Sequence, residues 1–116
     1  MSENQTVLSV NRNELVGAWQ RILPEMLNES DECNIILDQA DPDCLRITIE
    51  TAGHSKYSFD FKCTYMDERE VKVELVDVEQ DGVHVDERQE IIQSLIEDYV
   101  RHIHECAQSV QQLTNA

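Results

Sequence analysis

The chemistry-bearing residues that come nearest to a shared site are Asp98, His102 and Cys106, spaced i, i+4 and i+8. On a helix that spacing lines up three metal-capable groups in a row. In helical projection, however, Asp98 falls about 120° from the centre of the local apolar stripe and Cys106 about 40°. The three do not converge, and no further cluster supplies a fourth ligand. His102 and His104 diverge in the same way. Cys63 with His54 or His84 has the composition of a nucleophile and base, but Cys63 falls at a core-facing strand position, where apolar surroundings raise a thiol pKa and make it inert. Asp41 with Asp43, and Glu79 with Asp81, are fragments of a calcium loop that lack the rest of its ligand pattern. With three glycines in the chain there is no phosphate-cradling loop. No catalytic residue, cofactor or metal is expected, and the chain reads as a non-enzyme.

Charge is more informative than any motif. Twenty-four Asp and Glu stand against nine Lys and Arg, a formal net charge of −15. The excess is uneven. Glu29, Asp31, Glu32, Asp38, Asp41 and Asp43 form a segment without a basic residue. Asp77, Glu79 and Asp81 lead a second one that continues through Asp86, Glu87 and Glu90 with only Arg88 against them. Crowded like charges repel one another, so such a surface either keeps the protein soluble or docks on a basic partner. The nine acids from Glu29 to Asp43 and from Asp77 to Asp81 are the candidate partner-binding residues. The same charge argues against direct binding to nucleic acid or to an anionic membrane, both of which require clustered cations.

The elements that must position these groups are legible from periodicity. Leu45, Ile47 and Ile49 alternate with polar residues; so do Tyr57, Phe59, Phe61, Cys63 and Tyr65, and then Val71, Val73 and Leu75. A period of two over three runs predicts three antiparallel strands with the odd-numbered residues in a core. Cys33, Ile35 and Leu37 add a strand before them. Because a one-residue slip would exchange the two faces, parity restricts the registers. At the first hairpin, a loop of Ala52, Gly53 and His54 sets Ile47 opposite Phe59, Arg46 opposite Asp60 and Glu50 opposite Lys56. The next permitted register opposes Arg46 and Lys62, and cross-strand charge favours the former. At the second hairpin the same reasoning favours a loop of Asp67, Glu68 and Arg69, which pairs Lys62 with Glu74. After Leu75 the alternation slips, so a bulge or a strand end is expected near Val76. The wet face then carries Arg46, Lys56, Lys62 and Lys72 in rough balance with Glu50, Asp60 and Glu74, and the acidic surplus is expected elsewhere.

Helices flank the strands. Asn11 and Glu14 make a capping-box pattern with Val10 and Leu15 in staple positions, and Leu15, Trp19, Ile22, Leu23 and Met26 form an apolar stripe. Pro24 predicts a kink near Ile22 or a break followed by a turn to Asn28. Asp86 with Gln89 predicts the cap of a long helix from about Glu87 to Leu113, roughly 40 Å at 1.5 Å per residue. Its last turns would overhang a sheet of ordinary strands. The resulting fold is α+β, a two-layer sandwich in which a four-stranded antiparallel meander carries an N-terminal and a long C-terminal helix on one face (α-β-β-β-β-α).

The chain's 116 residues suit a single acidic domain over 1–116, with flexible ends at 1–6 and 114–116. Met1 to Thr6 lacks the form of a secretion signal and no apolar run spans a bilayer, so a cytoplasmic location is expected. Cys33, Cys44, Cys63 and Cys106 then read as free thiols in or near the core. The function these readings favour is a non-enzymatic protein-binding module, an adaptor, chaperone-like or inhibitory protein. It would use its acidic surface or a sheet edge near Ile36 or Val76. A DNA-mimicking inhibitor of a nucleic-acid-binding protein is the alternative, and a small-ligand site lined by Trp19, Tyr57 and Tyr65 the second. Besides a partner with a basic surface, a second copy of the chain is a candidate partner, through the C-terminal helix or a sheet edge.

Overall fold

The computed structural model describes residues 12–27, 29–51, 57–67, 70–81, 83–86 and 88–114, with the side chains of 84 and 112–114 excepted. Helix α1 (Arg12–Met26) precedes strands β1 (Glu32–Leu37), β2 (Cys44–Glu50), β3 (Tyr57–Tyr65) and β4 (Val71–Gln80). A two-residue strand, β5 (Val83–His84), and the long helix α2 (Glu90–Thr114) complete the chain. The strands form one antiparallel sheet in sequence order. Both helices pack on the same face, so the order α-β-β-β-β-α and the two layers are as periodicity predicts.

The core is the odd-numbered face of the sheet. Ile35, Leu45, Ile47, Ile49, Phe59, Phe61 and Cys63 are buried there against Leu15, Trp19 and Leu23 of α1 and Ile92, Ile103, Cys106 and Val110 of α2. Each large apolar side chain fully removed from water contributes about 1.5–3 kcal/mol. Phe59 meets the edge of Tyr99 at 5.3 Å between ring centroids and stacks beside Phe61 at 6.4 Å. The Trp19 indole donates its N–H to the Tyr65 hydroxyl across 3.0 Å. That bond lets two polar tips sit inside an apolar layer.

Four expectations are corrected. In the β2–β3 pair, Ile47 faces Phe61, Arg46 faces Lys62 and Thr48 faces Asp60, which is the register that cross-strand charge disfavoured. The reason lies on the outer flanks of the two strands. Arg46 has Asp38 on its other side at 3.7 Å, and Lys62 has Glu74 opposite it in β4. Thr48 Oγ1 donates to Asp60 across 2.7 Å. In a central strand each charge has two neighbours, and the second offsets the repulsion from the first.

The second correction concerns Pro24. Helix α1 continues through it to Met26, so the expected break is what the structure overturns, and the proline stands in the last turn. Little helix remains beyond it to misdirect, and the Leu27 N–H closes the turn on the Pro24 carbonyl at 3.4 Å. Third, α2 begins at Glu90 rather than near Glu87. Asp86 Oδ1 accepts the Arg88 N–H at 2.9 Å and the Asp86 carbonyl accepts Gln89, forming a separate turn. The Gln89 carbonyl accepts the Gln93 N–H at 2.9 Å, so Gln89 occupies the N-cap position. Fourth, the α2 stripe is covered from Tyr99 as far as Val110, which is fully buried, with α1 packed alongside, so any overhang is confined to residues beyond it, where the side chains of 112–114 lie outside the described residues.

The β3–β4 register does pair Lys62 with Glu74, and the slip after Leu75 is a bulge. Phe61 faces Leu75 while Asp60 faces Asp77, leaving Val76 as the inserted residue. Val76 is 48% exposed and Val78 buried, so inward parity passes from odd to even across the bulge. Val10, Asn11, Ala52, Gly53, His54, Lys56, Glu68, Arg69 and Glu87, and the side chains of His84 and Leu113, lie outside the described residues.

Candidate binding surface

The uncovered face of the sheet is laid out by its registers in rows that cross the strands. One row runs Ile36, Arg46, Lys62, Glu74; the next Asn34, Thr48, Asp60, Asp77; the third Glu32, Glu50, Ser58, Glu79. With Lys72 beyond the first row, cations gather towards one end of the face and carboxylates towards the other. The acidic surplus is therefore partly on this face, contrary to the balance expected of it. The bulge at Val76 is the cause, since it turns Asp77 and Glu79 outward, where unbroken parity would have assigned Val76 and Val78.

Two of the cross-strand pairs at the acidic end oppose like charges directly, Glu32 with Glu50 and Asp60 with Asp77. Each such pair costs a few tenths of a kcal/mol, up to about 1. Between Glu32, Cys33, Asn34, Thr48 and Glu50 the surface dips into a polar hollow of about 230 Å³.

The nine candidate acids separate by what they touch. Asp38, Asp41 and Asp43 stand in the β1–β2 turn, at the opposite end of the sheet. Asp38 Oδ1 accepts the N–H groups of Ala40 and Asp41 at 2.8 and 3.1 Å, and Asp41 Oδ1 accepts that of Asp43 at 3.0 Å. Backbone donors hold the carboxyls of Asp38 and Asp41 below the usual carboxylate range, with smaller help from the Lys62 and Arg46 charges at Asp38. Asp43 pairs with Arg12 at 3.2 Å, and the same guanidinium donates from Nε to the Pro42 carbonyl. These three acids build a turn and tie it to α1. Asp31 accepts the Tyr99 hydroxyl at 3.3 Å, and Asp81 turns the chain after β4 with φ of 54°. Glu29 and Glu32 are exposed and Glu79 half-exposed. Of the nine, then, Glu32, Asp77 and Glu79 share the acidic end. Glu50 and Asp60 join them there, and only the correct register together with the bulge reveals that they belong.

The remaining candidates stay apart. Asp98 pairs with Arg101 at 3.2 Å and His102 with Glu105 at 3.1 Å, while Cys106 is buried. Among the described residues no cluster of three His, Cys, Asp or Glu side chains could hold a metal ion. All four cysteines are free thiols. Burial pushes Cys63 far above the usual thiol range and Cys106 up to about 12. Trp19 and Tyr65 are packed against each other, and Tyr57 lies half-buried beside Phe59.

The sheet edges differ. On β1, the Gln20 amide of α1 donates to the Ile35 carbonyl at 2.9 Å. On β4, strand β5 pairs only with Glu79 and Gln80, and Val85 reaches Val78. From Val71 to Asp77 no described strand lies along the outer side of β4. Among the described residues no helix is long and apolar enough to cross a membrane. No family model, curated protein or solved structure matches the chain.

Proposed function

We propose that this chain is a non-enzymatic protein-binding module whose acidic end of the open sheet face, Glu32, Glu50, Asp60, Asp77 and Glu79, docks on a basic surface of another protein. The observation that carries this reading is the direct opposition of Glu32 to Glu50 on a face that no described helix covers. Such a pair opposes folding, and a partner's cations would relieve it.

The test is affinity capture from the protein's own cell lysate at low and at about 0.5 M salt, where the Debye length falls to a few Å. It is run with the wild type and with Glu32→Gln/Glu50→Gln. A single basic partner, retained at low salt, weakened at high salt and lost with the double variant, is expected. That variant should itself unfold at an equal or higher temperature. Capture that is indifferent to both substitutions would reject the surface. Displacement of the partner by duplex DNA would turn the reading towards a nucleic-acid mimic, for which the same acids stand in for phosphates.

A further inference from the structure

The edge of β4 along which no described strand lies carries its own complement. Lys72, Val73 and Glu74 read in reverse as Glu, Val, Lys, and in an antiparallel pair each strand meets the reverse of the other. Registers of odd offset bring the wet face of one strand beside the core face of the other and are excluded. A two-fold axis at Lys72 or at Glu74 sets that residue against its own copy, like charge on like charge. An axis at Leu75 places Glu74 opposite Val76, at the bulge. An axis at Val73 sets Lys72 of each copy opposite Glu74 of the other, and Val71 opposite Leu75.

We propose that β4 pairs antiparallel with β4 of a second copy of this chain, about a two-fold axis through Val73. The proposal rests on the protein-binding reading above and names one occupant of the edge. The ion pair between Lys72 and Glu74 within one strand, at 3.8 Å with side chains 61% and 49% exposed, becomes an alternating square of four charges. Val73 and Leu75, half-buried in one copy, are covered by their counterparts, and the edge gains backbone partners from Val71 to Leu75. The bulge at Val76 bends the strand away and ends the ladder there. The uncovered faces of both copies then lie on one side of a continuous sheet, with their acidic ends pointing in opposite directions. An interface of this kind is isologous, so one substitution is felt twice.

The experiment is sedimentation equilibrium over a concentration series, on wild type, K72E, E74K, an equal mixture of the two, and K72E/E74K. The wild type should associate to twice its 13.4 kDa. Each single variant opposes like charges at both ends of the ladder, and its dimer dissociation constant should rise at least about tenfold. The mixture should form a one-to-one heterodimer, and the double variant, with the charges exchanged, should regain the homodimer. Because E74K also puts a lysine opposite Lys62 of its own sheet, its recovery in the mixture doubles as evidence that it folds. A wild type that stays monomeric throughout, or a dimer indifferent to both reversals, would overturn the proposal. The Glu32→Gln/Glu50→Gln variant should keep the dimer, so failure of this interface and failure of the acidic docking surface are read separately.

Discussion

At the scale of single residues, the carboxylates of this protein fall into two kinds. Asp38 is the clearest of the first kind, an acid that serves as a backbone cap: one oxygen takes two N–H groups of the turn while the other faces Arg46. Its folded pKa is lowered, first by the Ala40 N–H. A depressed carboxyl contributes stability that is fully present above its unfolded pKa of about 3.9 and is lost as pH falls through the lower, folded value. Asp38→Ala should therefore destabilise the protein by roughly 1–2 kcal/mol at neutral pH, the worth of a hydrogen-bonded turn acid. Below pH of about 3 the gap between variant and wild type should narrow. Urea titrations at the two pH values check it, and a penalty that is constant with pH would refute the electrostatic part. The nine acids were recognisable as candidates from charge density alone. Which of them are caps and which face water could not be read in the same way, because a cap is defined by the backbone around it.

At the scale of elements, the strands were legible and their mutual offset was not. Alternation from Leu45 to Leu75 marks the core face nearly residue by residue. The β2–β3 register depends on Asp38 and Glu74, groups that flank the pair from its two neighbouring strands and are invisible when two strands are weighed alone. The bulge at Val76 left a mark in the chain, since parity breaks there, and that break is what moves Asp77 and Glu79 to the wet face. Pro24 does not end α1 where a break was expected. Position decides it: in the last turn of α1 its missing N–H forfeits one hydrogen bond, whereas near the middle the same ring would have displaced a whole turn. Pro24→Ala should restore the bond to Gln20 and stabilise the protein by up to about 3 kcal/mol, the interior-helix difference between the two residues. Thermal unfolding followed by circular dichroism measures it, and a lowered melting temperature would show that the ring of this exposed proline packs against something that matters.

At the scale of the whole molecule, the charge of −15 acts as an internal pressure. Among the described residues no charged side chain is buried, so the repulsion is carried by the surface and is open to screening. Raising ionic strength from about 0.01 to 0.15 M shortens the Debye length from about 30 to 8 Å. The melting temperature should rise over that range, which differential scanning calorimetry would record. A fall would mean that ion pairs such as Arg12–Asp43 outweigh the net repulsion. The same pressure works against association of two copies, so any dimer should form more readily at moderate salt than at very low salt.

The Gln20 amide on the Ile35 carbonyl has a consequence for valence. A sheet with both borders exposed is a repeat unit: every copy can accept a neighbour on each side, and nothing limits the length of the resulting ribbon. With the Ile35 carbonyl of β1 already taken by Gln20 of α1, β4 is the border that, among the described residues, offers the longer unpaired run. A strand that joins β4 then meets an obstacle at the far border, and a side-chain amide on one strand carbonyl weighs against growth of a ribbon by repeated edge pairing.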